Sequence, residues 1–297
     1  MKQANAEEKA AVLADYLKEF GAELISSRTN PKTVRYAKLS DKKYRDEFGL
    51  FLAEGSKLTA EALQHAEVEC VLIAQSKVEA LAESDTQRKP GMIARELAAI
   101  ACEKQVPVHV FADSAFEKIS TEQAPQGFIA VVKKPEKIHM KTDFEAWQQG
   151  KRLLMLDEIR DPGNLGTILR SAEAMGIEGV ILASCADLYS EKTVRAAMGT
   201  LFRIPVYITQ NGADCVRSMK ICGRRVISAG LGEHTLTLGQ YATEKTDCVV
   251  IGNEGHGVSA EVLAESTACV RIPMAGQTES LNAAAAAVCI LWEYFRN

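Results

Sequence analysis

The residues of this chain with the clearest potential for chemistry lie in three polar stretches of its second half. The stretches are residues 157–170, 252–257 and 271–282. Each follows a short apolar segment and contains glycine, which allows a backbone to approach a ligand closely. Because the carboxyl ends of parallel strands meet at one edge of a sheet, three such loops can form one small-molecule site.

The first stretch combines turn-forming residues with a basic side chain. Asp161-Pro162-Gly163-Asn164 predicts a turn, and we expect Asn164 to cap the helix that follows. Arg170 comes about one and a half turns into that helix, where its guanidinium could bind a phosphate through two hydrogen bonds. The alternative interpretation is a surface arginine on an amphipathic helix.

The second stretch, Gly252-Asn253-Glu254-Gly255-His256-Gly257, has the pattern GxxGxG. It differs from the GxGxxG fingerprint of dinucleotide sites and lacks the lysine of a P-loop, which argues against a nucleotide-phosphate site. Glu254 is either a functional carboxylate or a loop residue satisfied by nearby N–H groups. In the third stretch, Ser280 and Asn282 stand before an apolar helix, and simple capping of that helix is the alternative there.

Alternating strands and helices are expected to position these loops. From residue 151 the strands are short and continuously apolar, as in a parallel sheet covered on both faces. A second α/β pattern precedes it. The sequence predicts a helical extension over residues 1–24, an α/β domain over 25–134, a linker over 135–150 and a second α/β domain over 151–297.

The composition is that of a globular protein, and the charge is unevenly distributed. The 297 residues are 47% hydrophobic and 25% charged, with a net charge of −4, which argues against a wholly basic nucleic-acid binder. Residues 28–45 nevertheless have a local charge of +6. Their basic residues are Arg28, Lys32, Arg35, Lys38, Lys42, Lys43 and Arg45. The patch could contact several phosphates, and a solvated helix face is the alternative.

Several classes of protein are not supported by the sequence. The eight cysteines include no CxxC pair and no Cys/His cluster, so neither a zinc nor a redox motif is indicated. We expect no metal. The first twenty residues are charged and do not read as a signal peptide. The longest apolar run, Ala283–Trp292, is too short to cross a bilayer, and a cytoplasmic location is expected.

Together and in this order, the three stretches resemble the motifs of the SpoU (TrmH) family of RNA ribose 2′-O-methyltransferases, in the SPOUT superfamily. Residues 161–170 resemble the first motif, 252–257 the second, and 272–282 the third. Residues 195–205 also resemble the family, with Ala197 where a serine is frequent. Residues 28–134 are similar to the ribosomal-protein-like RNA-binding domain of many members, which turns the basic patch into an expected RNA contact.

The resemblance implies an α/β fold with a C-terminal trefoil knot, S-adenosyl-L-methionine as cofactor, and a homodimer with the active site near the interface. It implies methylation of a ribose 2′-hydroxyl, with ribosomal RNA as the expected substrate and transfer RNA as the alternative. The implied catalytic residues are Asn164, Arg170, Glu254, Ser280 and Asn282. The implied cofactor contacts are Ala229, Leu231, Gly252, Asn253, Gly257, Ile272, Met274 and Leu281.

The role of Arg170 and the nature of the activity leave alternatives. An arginine stays protonated, so we expect Arg170 to hold a phosphate or to stabilise charge on the 2′-oxygen rather than to act as a simple base. A non-catalytic RNA-binding protein with this fold and a nicotinamide-dependent Rossmann enzyme are the rival hypotheses. The residues expected to give the last helix apolar surface for a dimer are Leu281, Val288, Leu291, Trp292 and Phe295.

Overall fold

The computed structural model describes residues 5–82, 90–135, 144, 148–230, 235–240, 242–276 and 280–295. The chain divides into two compact units. One comprises residues 1–135 with 189–191, and the other comprises residues 136–188 with 192–297. Each unit contains its own sheet, so the α/β class predicted for both halves is confirmed.

The first unit has a mixed five-stranded sheet. Its strands are β1 (Glu23–Ile25), β2 (Leu50–Glu54), β3 (Val68–Ala74), β4 (Val108–Phe111) and β5 (Phe128–Lys133). Its helices are α1 (Ala6–Glu19), α2 (Pro31–Ala37), α3 (Lys42–Phe48), α4 (Ser56–His65), α5 (Gln75–Glu79), α6 (Pro90–Glu103) and α7 (Asp113–Ile119). The strand order is β1-β4-β3-β5-β2, with β5 antiparallel to both of its neighbours.

Both faces of this sheet are covered, because alternate residues of its strands enter different cores. Leu72 packs in the cluster that contains Tyr36, whereas Val71 packs with residues of α1, α4 and α6. Helix α1 was expected to be an extension outside the domain. Instead it buries Leu13 and Tyr16 in that second cluster, and the Tyr16 hydroxyl donates a hydrogen bond to the Ala94 carbonyl at 2.8 Å.

The basic segment forms two helices separated by a short turn. Helix α2 is capped by Asn30, with Pro31 at its first position. A 3₁₀ turn over Lys38–Ser40 then leads to α3, whose first turn is capped by the Asp41 side chain. A short carboxylate competes for backbone N–H groups and favours such a break over a continuous helix.

The second unit is organised around seven strands, which are all parallel. The strands are β6 (Leu153–Asp157), β7 (Gly179–Ala183), β8 (Val206–Thr209), β9 (Val226–Ala229), β10 (Thr235–Thr237), β11 (Cys248–Ile251) and β12 (Ala268–Arg271). The helices are α8 (Pro162–Ala174), α9 (Glu191–Ala197), α10 (Gly212–Ile221), α11 (Ala260–Glu265) and α12 (Ala283–Phe295). The order β10-β12-β9-β11-β6-β7-β8 confirms the predicted parallel sheet.

Local details of this unit differ from the prediction. Helix α9 ends at Ala197 because Met198 and Gly199 have left-handed backbones, with φ of 51° and 90°. The strands β1 and β10 have three residues each, too few to show a sequence period. Phe144, in the predicted linker, packs on Tyr207 with ring centroids 4.6 Å apart, while 136–143 and 145–147 lie outside the described residues.

Helix α12 packs against α8 and β11. Leu291 is fully buried within its own unit, so the prediction that it supplies dimer surface is wrong. Trp292 is 60% exposed and Leu281 is 40% exposed, whereas the side chain of Phe295 lies outside the described residues. No helix in the described ranges is both long enough and apolar enough to span a membrane.

Candidate active site

A cavity of about 550 Å³ opens at the carboxyl ends of β9, β11 and β12. Parallel strands place their following loops at this edge, as expected from the sequence. Most of the predicted cofactor contacts line the cavity: Ala229, Gly252, Asn253, Gly257, Ile272, Met274 and Leu281. Two predicted catalytic residues, Glu254 and Ser280, line it as well. The predicted contact Leu231 lies outside the described residues.

The loop after β11 folds back on itself so tightly that glycine is required. A Cβ on Gly252 would lie 2.1 Å from the Val258 nitrogen and 2.2 Å from the Gly257 carbonyl carbon. Asn253 and Gly257 exchange two backbone hydrogen bonds of 2.9 and 3.0 Å. Gly257 itself has a φ of 77°, which favours glycine. The glycines therefore close the loop into a narrow hairpin at the cavity wall.

The side chain of Asn253 joins this hairpin to the loop after β6. Its Nδ2 donates to the Glu158 carbonyl at 2.8 Å, and its Oδ1 accepts from the Gly255 nitrogen at 2.8 Å. Glu158 has a left-handed backbone with a φ of 57°. A strained non-glycine residue persists where its surroundings fix it, and such residues cluster at functional sites.

Glu254 links the same two loops through its carboxylate. It accepts hydrogen bonds from the Asn164 Nδ2 at 2.9 Å and from the backbone nitrogens of Arg160 and Asp161, both at 3.3 Å. Burial acts to raise the pKa of Glu254, but these hydrogen bonds outweigh it and lower the pKa below its ordinary value. The carboxylate is therefore held ionised, and it fixes the loop that precedes α8.

Asn164 does not cap α8, and that prediction was wrong. Asp161 is the cap, because Pro162 takes the first helical position and the Asn164 nitrogen donates to the Asp161 Oδ1 at 2.8 Å. The Asn164 side chain is thereby left for other contacts, and its Oδ1 accepts from the Asn282 Nδ2 at 3.0 Å. A chain of hydrogen bonds, Asn282–Asn164–Glu254, thus connects all three loops.

Asn282 also caps α12, which was the alternative interpretation of the third stretch. Its Oδ1 accepts a hydrogen bond from the Ala284 nitrogen at 2.9 Å. Asn282 can cap the helix and bind Asn164 at the same time, because its Oδ1 accepts from the Ala284 nitrogen while its Nδ2 donates to the Asn164 Oδ1. The cap therefore fixes the amide that binds the first loop.

Arg170 stands apart from this chain of hydrogen bonds. It lies on the exposed side of α8, six residues after Asn164 and therefore about 9 Å farther along the helix axis. Within the described part of the chain, its guanidinium has no hydrogen-bond or ion-pair partner and does not line the cavity. The structure thus brings four of the five predicted catalytic residues to the three linked loops and leaves Arg170 exposed to solvent.

Two charged residues near the site were not predicted. Lys192 binds the capping Asp161 through a contact of 2.7 Å, and this hydrogen bond lowers the pKa of that carboxyl. Arg271, the last residue of β12, lines the cavity. The motif position of Arg271, directly before Ile272, was a signal that could have identified it, whereas Lys192 lies outside the three motifs, three residues before the segment 195–205.

The basic patch of the first unit is smaller than its sequence indicated. Arg45 is only 4% exposed, and its guanidinium donates to the Leu39 and Ser40 carbonyls, both at 2.7 Å. The prediction that Arg45 contacts RNA is therefore wrong, because this side chain closes the turn between α2 and α3.

Two further cations of the patch are neutralised by acidic neighbours. Lys32 forms an ion pair with Glu23, and Arg35 forms one with Glu69 at 3.2 Å. The remaining basic residues are exposed: Arg28, Lys38, Lys42 and Lys43. The ammonium of Lys38 lies 4.8 Å from the centroid of the Tyr44 ring, a cation–π distance.

Comparison with known proteins identifies relatives over nearly the whole chain. The model of the SpoU rRNA Methylase family matches residues 151–292, and that of the MRM3-like substrate binding domain matches residues 30–130. The chain is 30% identical to the 23S rRNA (guanosine(2553)-2'-O)-methyltransferase RlmP of Bacillus subtilis (strain 168), over 90% of this chain and 97% of that protein. It is 31% identical to a 23S rRNA (uridine(2479)-2'-O)-methyltransferase of Streptomyces viridochromogenes, over 93% and 92%.

A solved structure supports the same relationship. The AdoMet-bound rRNA methyltransferase from Sinorhizobium meliloti superposes with a TM-score of 0.77 at 29% identity, covering 93% of this chain and 98% of that one. These likenesses confirm the family, the fold class and the cofactor that the sequence indicated. The chain therefore belongs to the SpoU rRNA methylase family of S-adenosyl-L-methionine-dependent methyltransferases.

Proposed function

We propose that this protein methylates the 2′-hydroxyl of a ribose in ribosomal RNA. The observation that carries the proposal is the convergence of three loops on one cavity, joined through Asn282, Asn164 and Glu254. The names of the two curated relatives, both 23S rRNA 2'-O-methyltransferases, favour ribosomal RNA over transfer RNA as substrate. A ribosomal RNA substrate is consistent with action in the cytoplasm.

The cavity suits S-adenosyl-L-methionine in size and lining. Small-molecule sites have volumes of about 300–1,000 Å³, and this one has about 550 Å³. Its wall combines the glycines of the loop after β11 with apolar residues such as Ile272, Leu281 and Ile290. Backbone groups can satisfy the polar edge of an adenine, and apolar groups can cover its faces. When bound, the cofactor supplies an electrophilic methyl group on a sulfonium.

The residues of the chain must position the ribose and stabilise charge. The Asn164 amide is held from both sides, by Glu254 and Asn282, so it offers a fixed polar group for orienting a ribose. Arg170 has a cationic group with no partner among the described residues, suited to stabilising negative charge on the 2′-oxygen as its proton departs. Glu254 acts as a positioning residue, since its hydrogen bonds go to the first loop.

RNA binding is assigned to the first unit. Residues 30–130 match a substrate-binding family model, and the exposed cations at Arg28, Lys38, Lys42 and Lys43 can contact phosphates. Lys32 and Arg35 contribute less, because Glu23 and Glu69 offset their charge.

A homodimer is part of the proposal. Trp292 on α12 is 60% exposed and provides apolar surface suited to a second copy. The trefoil knot implied by the family resemblance stays a prediction. Sedimentation of the purified protein measures the oligomeric state directly.

Mapping of 2′-O-methyl groups tests the proposed substrate. Ribosomal RNA is compared from cells with the gene, cells without it, and cells carrying Arg170→Ala. We expect one ribose methylation to disappear in the last two strains and to persist in the first. Loss of a transfer RNA methylation, with ribosomal RNA unchanged, would overturn the assignment of substrate.

A further inference from the structure

The cavity has one cation among the described residues that line it. Its two charged lining residues are Glu254 and Arg271, at different parts of the wall. The Glu254 carboxylate is engaged with the loop before α8. Arg271 is exposed, and the described residues provide its guanidinium with no hydrogen-bond or ion-pair partner. The guanidinium is therefore available to a ligand.

The backbone of Arg271 is firmly placed. It is the last residue of β12, opposite Thr237 of β10, and its carbonyl accepts a hydrogen bond from the Leu238 nitrogen at 2.9 Å. The preceding carbonyl, of Val270, accepts from the Gly230 nitrogen at 3.0 Å. Strand β12 lies two strands from β11, or about 10 Å at the usual strand spacing. The backbone positions of Arg271 and Glu254 are therefore well separated along the cavity wall.

The charges of the cofactor match this separation. S-adenosyl-L-methionine has one anionic group, the carboxylate of its methionine part, together with an ammonium and a sulfonium. A carboxylate near Glu254 would be repelled, whereas a guanidinium binds a carboxylate through two parallel hydrogen bonds. We propose that Arg271 binds the cofactor carboxylate and so fixes which way round the cofactor sits in the cavity.

Calorimetry with two ligands tests this assignment without RNA. The ligands are S-adenosyl-L-methionine and its decarboxylated analogue, which lacks only the carboxylate. For Arg271→Gln we expect about tenfold or greater loss of affinity for the first ligand and no loss for the second. Arg271→Lys should retain part of the affinity, since it keeps the charge but not the paired hydrogen bonds.

Lys245→Gln is the matched control. Lys245 is exposed and precedes the amino end of β11, at the opposite edge of the sheet from the cavity. This variant removes the same charge and should leave both affinities within about twofold of the unaltered protein. A lower affinity there would show that net charge, rather than a local contact, governs binding.

Besides a loss of affinity in Lys245→Gln, three results would overturn the proposal. One is an equal loss for both ligands in Arg271→Gln, which would indicate general damage to the cavity. Another is unchanged affinity of Arg271→Gln for S-adenosyl-L-methionine, which would remove Arg271 from the cofactor contacts. The third is equal affinity of the unaltered protein for both ligands. That measurement does not depend on the folding of any variant. Because no RNA is present, the calorimetry stands or fails independently of the substrate proposed above.

Discussion

Substituting Gly252 with alanine should cripple cofactor binding, because the loop leaves no room for a side chain. The added Cβ would lie 2.1 Å from the Val258 nitrogen, whereas ordinary van der Waals contact begins at 3.4 Å. The loop must therefore shift by about 1.3 Å. The nearest atoms are all backbone, at Gly257 and Val258, so no side-chain rotation relieves the clash.

The cost follows from what the shift disrupts. Overpacking of this kind costs about 1–3 kcal/mol. The two backbone hydrogen bonds between Asn253 and Gly257 contribute about 0.5–1.5 kcal/mol each, and the shift strains them. If the free loop relaxes, closing it again on the cofactor costs about 2–3 kcal/mol. At about 1.4 kcal/mol per tenfold change, the affinity falls about 30- to 140-fold.

Calorimetric titration of S-adenosyl-L-methionine into Gly252→Ala measures this loss, and circular dichroism confirms the fold. Gly255→Ala is the matched control on the same loop. Its added Cβ would lie no closer than 3.4 Å to any atom outside the adjacent residues, the nearest being the Asn253 Oδ1. We expect that control to lose less affinity than Gly252→Ala, because its added Cβ meets no backbone atom of the loop. Normal affinity in Gly252→Ala, or an equal loss in both variants, would refute the reasoning.

The remaining predictions concern catalysis, pH and RNA. Arg170→Ala should abolish methyl transfer with cofactor affinity unchanged, as measured by single-turnover assay and calorimetry. Hydrogen bonds lower the folded-state pKa of Glu254 despite burial, so its stabilisation is complete above the ordinary value of 4.5 and lost as pH falls through the lower folded value. The free energy of unfolding that Glu254 contributes should thus stay level from about pH 6 to 8 and fall away in acid, so chemical denaturation should show a shallower acid decline in Glu254→Gln. Changing Lys38, Lys42 and Lys43 to glutamate should weaken RNA binding and reduce its salt dependence.

Each of these expectations can fail clearly. Full methyl transfer by Arg170→Ala would remove this residue from the reaction. An acid decline that persists unchanged in Glu254→Gln would assign the titration to another group. An unaltered salt slope in the triple lysine variant would return the patch to a solvated surface. Arg45→Glu cannot replace that test. A glutamate at this buried position would lose the hydrogen bond to the Leu39 carbonyl and leave an unpaired charge, so the turn itself would be disrupted.

The sequence was sufficient to find the loops but not the contacts among them. Gly252, Ile272 and Leu281, which line the cavity, were implied as cofactor contacts by the family resemblance, and that resemblance rests on local motifs. The link from Asn282 to Asn164 spans most of the second unit in sequence, so no local pattern reports it. The exchange of capping roles between Asp161 and Asn164 depends on the position of Pro162, and either residue type is a good cap.

For the basic patch, the sequence overestimated the number of cations available to RNA. A count of charges treated Arg45 as one more surface cation, but its guanidinium is used to satisfy two carbonyls at a tight turn. Likewise, Lys32 and Arg35 meet acids on β1 and β3, strands that are brought beside α2 only by the tertiary fold. Charge along the sequence therefore overstated the charge available to a partner.

The most direct test of the central claim is transfer of labelled methyl from S-adenosyl-L-methionine to ribosomal RNA by the purified protein, followed by nucleoside mass spectrometry. We expect label in one 2′-O-methylnucleoside, with none formed by Arg170→Ala. Label on a base, or no transfer to any RNA by a protein that binds the cofactor, would contradict it.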